Sequence, residues 1–119
     1  MDIDSSLSAI AESQEVVIRT SDDKGTVGTI IWTAPHEGVI YIRSYLGDRG
    51  VWYQRALSNP DVVLKAGDAS VQMRAVPATD AGSIEAATQG FLAKYKPSGS
   101  RDAMVADRVL HTTLRLELP

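Results

Sequence analysis

Short runs of β-branched residues, each closed by a polar or glycine turn, fill the first two-thirds of the chain and point to an antiparallel sheet. Val16-Val17-Ile18 marks the first run, over residues 15–20. Ser21-Asp22-Asp23-Lys24-Gly25 then reads as a turn, because polar side chains and a glycine close it between two strand-like segments. Residues 26–33 form the second run, Pro35-His36-Glu37-Gly38 the next turn, and residues 39–45 the third strand. Three runs joined this closely predict a meander. Residues 61–66 and 69–76 flank Gly67-Asp68 and predict a hairpin. In the second of these, Val71, Met73 and Ala75 alternate with Gln72 and Arg74, the period of a strand with one buried face.

Helical periodicity is confined to a few places. Residues 2–12 suit a short helix, with Asp4 or Ser5 as cap and Leu7, Ile10 and Ala11 on one face. Residues 50–58 suit another, stacking Trp52 on Ala56 and stopped by Pro60. The strongest helix spans 80–95, where Asp80 can cap and Ile84, Ala87, Phe91 and Tyr95 form a stripe. Lys94 and Lys96 sit at its C-terminal end, where the helix dipole favours cations. A short helix over 101–107 follows. Residues 109–118 close the chain as a strand, with Leu110, Thr112, Leu114, Leu116 and Leu118 alternating against His111, Thr113, Arg115 and Glu117. The expected fold is mainly β: a six-stranded antiparallel split β-barrel with peripheral helices, in one domain over residues 1–119 with 1–13 as an N-terminal helix or arm.

Composition removes several function classes. The chain has 119 residues and no cysteine, so disulfides, thiolate metal sites and cysteine nucleophiles are excluded. Its net charge is −3 with 12 Lys+Arg, which predicts no nucleic-acid surface. Met1-Asp2-Ile3-Asp4 lacks the basic and apolar regions of a signal peptide, and no run approaches the ~18 apolar residues of a membrane span, so a cytoplasmic protein is expected.

One stretch concentrates chemistry. In "GVIYIRSYLGDRGVWYQRALSNP", residues 38–60, a strand ends at Arg43-Ser44, a loop carries Gly47, Arg49 and Gly50, and a helix starts before Trp52-Tyr53. Taken singly, Arg43 reads as a surface strand residue, Arg49 as a solvated loop residue and Trp52 as a core plug. Together they suit an oxyanion. Free N–H groups at a helix start, a serine hydroxyl and two arginines can hold a phosphate, and Trp52 or Tyr53 can pack on a planar ring.

This segment resembles the pyridoxamine-phosphate-oxidase-like superfamily of flavin- and deazaflavin-binding split barrels. Strand, Ser44, Arg49, "WYQRALSNP" and the strand "DVVLKAG" follow that superfamily's order. Val51-Trp52-Tyr53 and Asn59-Pro60 are similar to the corresponding part of the deazaflavin-dependent nitroreductases, although the loop before Trp52 is shorter and Arg49 stands where they carry a lysine. "IRTSDDKG" and "TTLRLELP" resemble a bacterial branch of unknown function. The resemblance implies a homodimer with FMN or a deazaflavin in a groove between subunits, and oxidoreductase chemistry by hydride transfer. It implies phosphate contacts from Arg43, Ser44 and Arg49, with Trp52 and Tyr53 beside the ring or the dimer contact. No catalytic side chain is implied. The alternative is a cofactor-free split-barrel module that binds a small ligand or a protein partner.

The remaining polar residues carry less. His36 reads as a solvated turn residue, and His111 as a strand residue out of step with the leucine face. Two isolated histidines predict no metal site. Ser44 lacks a nucleophile elbow, so no hydrolase is expected. Phe91 and Tyr95 read as core.

Overall fold

The computed structural model describes residues 2–119. The described residues form four α-helices and seven strands, in the order α1 Ile3–Glu12, β1 Val16–Asp22, β2 Gly25–Ile31, β3 Ala34–His36, β4 Val39–Ile42, α2 Val51–Ser58, β5 Asp61–Ala66, β6 Ala69–Pro77, α3 Ala81–Lys94, α4 Gly99–Met104 and β7 Leu114–Glu117. Two 3-10 turns, Gly47–Arg49 and Asp107–Thr112, complete the set. The strands form one sheet in the order β2-β1-β5-β6-β7-β4-β3, antiparallel throughout.

Seven strands replace the expected six, and the reason is a bend. β2 and β3 occupy opposite edges of the sheet, yet only Trp32 and Thr33 separate them in the chain. A sheet whose two edges are tied by two residues must curl, and it does so into a half-barrel. Pro35 and His36, read from sequence as the start of a turn, thus join Ala34 in an edge strand paired with β4. The turn shrinks to Glu37-Gly38, both at positive φ (49° and 82°), as two-residue hairpins of the primed type require. The expected meander is likewise corrected: β2 pairs with β1 alone, and β4 lies beside β7 and β3.

The C-terminal strand is shorter than its leucine alternation suggests. Thr112 and Thr113 turn their hydroxyls back onto the carbonyls of Val109 (2.6 Å) and Leu110 (2.7 Å). These local bonds compete with strand pairing and hold residues 107–112 in 3-10 form. The expected helix at 101–107 lies earlier, over α4, capped by the Ser98 hydroxyl. α1 is capped by Asp2 rather than Asp4 or Ser5, and α3 by Asp80 as expected.

Two apolar clusters fill the fold. Ile18, Leu64, Val71, Met73, Leu114 and Ile42 meet α1 and α2 inside the curl. A second cluster under α3 joins Phe91, Tyr95 and Ala87 to Ala34 and Tyr41. Gly90 allows this approach, since a Cβ there would stand 2.8 Å from the Pro35 carbonyl oxygen. No helix among the described residues is long and apolar enough to cross a membrane.

Candidate functional site

β4 delivers Arg43 and Ser44 to the end of the barrel, and the two behave as interior residues. Arg43 is 1% exposed. Its Nε donates to the Thr113 hydroxyl at 2.8 Å, Nη1 to the Met104 carbonyl at 3.1 Å, and Nη2 to the Ile84 carbonyl at 2.9 Å. The Phe91 ring lies 5.6 Å away. No carboxylate pairs with it among the described salt bridges. Burial alone lowers its pKa to about 10, so it remains a cation at neutral pH. A guanidinium has five N–H groups, and three bonds leave donors to spare.

Ser44 is fully buried. Its amide donates to the Thr112 hydroxyl at 3.0 Å and its own hydroxyl donates to the Gly47 carbonyl at 2.7 Å. The hydroxyl therefore pins the Gly47–Arg49 turn. Gly50 makes room for it: a Cβ there would fall 2.2 Å from Ser44 Oγ. Arg49 sits on the outside of this turn, exposed, with no side-chain hydrogen bond or ion pair among the described contacts. The neighbouring Asp48 meets His111 at 2.8 Å, which fastens the two 3-10 turns together. Arg108 adds a bond to the Tyr45 carbonyl at 3.0 Å and lies over the Tyr45 ring.

α2 carries Trp52 and Tyr53 inward, 7% and 6% exposed. Their rings meet edge to face, 6.1 Å between centroids. Burial, with a smaller contribution from Asp48, pushes the Tyr53 phenol up. Trp52 and Arg43, together with Trp32, Tyr45, Glu15 and Met104, line a cavity of about 280 Å³. Of the five residues marked in the sequence, the cavity thus takes Arg43 and Trp52. Ser44 and Tyr53 stand behind it, and Arg49 outside.

Sequence reasoning passed over Trp32 and Tyr45, whose place depends on the β2–β3 bend and on the loop after β4. It also passed over Arg55. This arginine reaches from α2 to the β1–β2 hairpin, donating to the Thr20 hydroxyl (3.0 Å), the Thr20 carbonyl (3.1 Å) and the Gly25 carbonyl (3.0 Å), and pairing with Asp22. Its four contacts make it a clamp on the fold. Among the described residues no group of His, Asp and Glu is placed to hold a metal ion.

The curled antiparallel half-barrel is a fold shared with solved proteins of NimC/NimA and pyridoxamine 5′-phosphate oxidase type. A NimC/NimA family protein from Clostridium acetobutylicum superposes with a TM-score of 0.63 at 14% identity, covering 98% of this chain and 78% of that one. A protein provisionally named a pyridoxamine 5′-phosphate oxidase, from Listeria innocua, gives 0.62 at 13%, covering 98% and 90%. The conserved hypothetical protein Rv2991 from Mycobacterium tuberculosis gives 0.64 at 16%, covering 97% and 79%. Within this class, residues 6–116 match the family described as "Uncharacterized protein conserved in bacteria (DUF2255)", and the chain belongs to that family. No curated protein matches it in sequence.

Proposed function

We propose that this protein binds a flavin-type cofactor, FMN or a deazaflavin, at the Arg43–Trp52 cavity and works as a homodimeric oxidoreductase. The observation that carries the reading is a buried arginine, outside salt-bridge range of any carboxylate among the described contacts, on an aromatic-walled cavity that also takes in Glu15. A cation kept inside a protein without a counter-ion is costly, and an anionic or electron-rich ligand offsets that cost. Arg43's spare N–H groups suit a phosphate or the polar edge of a planar ring. Tyr45 and Trp52 suit its face. Arg49, exposed outside the cavity, is left for a phosphate that extends beyond the lining, while Ser44 and Tyr53 hold the turn and helix in place. The cofactor supplies hydride transfer when bound, and the chain supplies position and charge.

The cavity lies near the low end of the ~300–1,000 Å³ range of small-molecule sites, so it holds only part of a flavin nucleotide. Ile30 and Tyr45, both lining the cavity, leave 64% and 52% of their surface exposed, and Val51 and Leu46 are exposed as well. An apolar rim of this kind is what a second copy would cover, completing the wall. The alternative is a cofactor-free module that binds a small ligand or a protein partner. It is favoured by the Ser44 hydroxyl, which is spent on Gly47, and by Arg49 standing outside the cavity.

The test is a fluorescence titration of the protein with FMN and, separately, with a deazaflavin. Saturable binding to one of them, weakened in Arg49→Ala, supports the cofactor reading and chooses the cofactor. No binding to either by folded, dimeric protein selects the alternative.

A further inference from the structure

Lys94 does not behave as a surface lysine at a helix end. It is half-buried, and its Nζ donates to the Thr33 hydroxyl at 2.6 Å. Thr33 is fully buried and donates its hydroxyl hydrogen to the Ile10 carbonyl at 3.2 Å, so the same oxygen accepts from the amine. The Tyr95 ring lies 5.1 Å from Nζ. No carboxylate pairs with Lys94 among the described salt bridges.

This amine borders a cavity of about 500 Å³ that adjoins the one beside Arg43 across Trp32 and Ser100, with Gln14, Tyr95, Lys96 and Ser98 also around it. Trp32 and Tyr95 stack 3.8 Å apart and nearly parallel, giving a rigid flat wall. Lys96, two residues past the end of α3, contributes an exposed cation. A half-buried amine without a counter-ion, a flat aromatic wall and a nearby cation form a constellation suited to a carbonyl compound that carries a negative charge.

We propose that Lys94 is a nucleophilic amine that condenses with the carbonyl group of a small anionic aldehyde or keto acid bound in this cavity. The nitrogen lone pair attacks the carbonyl carbon and a C–N bond forms. The nitrogen gives up its two hydrogens, the carbonyl oxygen takes up two protons, the C–O bond breaks to release water, and the product is an imine. No electrons are gained or lost, so no further reactant is required. Lys96 pairs with the ligand's carboxylate or phosphate.

The protonation states agree with this chemistry. Burial lowers the Lys94 pKa to about 8. At pH 7.5 such an amine is about one-quarter unprotonated, against roughly one part in a thousand for an ordinary lysine. The titratable neighbours are Tyr95, Lys96 and, near Tyr95, Glu15. The Tyr95 hydroxyl donates to the Gln14 carbonyl and is pushed up to about 12 by burial, so it stays protonated.

The chain has only four lysines, Lys24, Lys65, Lys94 and Lys96, so modification can be mapped completely. The full chain is treated with 4-formylbenzoate and cyanoborohydride at pH 7.5, and labelled peptides are quantified by mass spectrometry. The expected result is at least about tenfold more label on Lys94 than on any other lysine. Benzaldehyde, which lacks the carboxylate, labels Lys94 more slowly, and Lys96→Ala slows 4-formylbenzoate to that rate. Lys94→Arg loses the dominant label without a gain elsewhere. Label that follows exposure, with Lys24 and Lys96 ahead of Lys94 in the wild-type protein, overturns the proposal, and that comparison needs no variant to fold.

Discussion

The guanidinium of Arg43 and the hydroxyl of Thr113 meet at 2.8 Å in the interior, joining the end of β4 to the residue just before β7. The same fork reaches Met104 at the end of α4 and Ile84 in α3. One side chain thus ties three parts of the chain, 41 to 70 residues away, to the end of β4.

Removing that fork destabilises the fold. In Arg43→Met the Met104 carbonyl, last in its helix and without a further helical partner, loses its donor. The cost of a buried group left unpaired, with the lost charge-assisted bonds, predicts about 2–4 kcal/mol in urea denaturation. Arg43→Lys keeps the charge without the planar fork and falls between the two.

Gly90→Ala sets two effects against each other. Helix propensity favours alanine by about 1 kcal/mol. The added Cβ, however, would lie 2.8 Å from the Pro35 carbonyl oxygen and 3.0 Å from the Ala34 carbonyl carbon, both backbone atoms. Overpacking against backbone costs typically ~1–3 kcal/mol or more, so net destabilisation is expected. A stabilised Gly90→Ala would mean that α3 can lift from β3 freely.

Acid weakens the fold through its caps. Bonds from Ser83 hold the Asp80 carboxyl below its ordinary pKa, and the Lys24 amide, followed by Arg55, does the same for Asp22. A carboxyl whose folded pKa is depressed stabilises above its unfolded pKa, and that stabilisation fades as pH falls through the folded value. Asp80→Asn is therefore expected to melt below wild type at pH 6 by a few degrees, with the gap closing below about pH 4. Thermal melts from pH 3 to 6 measure it. A gap independent of pH would assign the cap to hydrogen bonding without charge.

The apolar rim gives a further test. If a second copy covers Ile30 and Val51, then Val51→Glu shifts the protein towards monomer in sedimentation velocity while its melting of secondary structure stays cooperative. A wild-type chain that sediments as a monomer at high concentration would remove the homodimer from the account.

Much of the architecture was legible locally. The Ser21–Gly25 and Gly67-Asp68 turns and the alternation of Val71, Met73 and Ala75 marked both hairpins. Asp80 and the stripe through Phe91 marked α3. What stayed hidden depends on distant partners or on competing local bonds. Nothing near Trp32 signals that the chain bends there to supply both sheet edges. The leucines after Val109 alternate like a strand, but the threonine hydroxyls win over residues 107–112. Arg43 reads as an anion grip because its sequence neighbours are polar loop residues, whereas its partners come from α3, α4 and the segment before β7. Lys94 reads as a helix-end cation because Thr33, which draws it inward, is 61 residues away.

The central claim is that a flavin-type ring lies against the Arg43–Trp52 cavity, and Tyr45 offers the cleanest handle on it. Tyr45 lines that cavity yet is 52% exposed, so Tyr45→Ala leaves the core intact. The measurement is the dissociation constant of FMN and of a deazaflavin for wild type and Tyr45→Ala, by cofactor fluorescence. Loss of a ring contact worth about 0.5–1.5 kcal/mol predicts binding weakened roughly two- to tenfold in the variant. Saturable binding with the same constant in both proteins, or none in the wild type, would contradict the assignment of this cavity as the cofactor site.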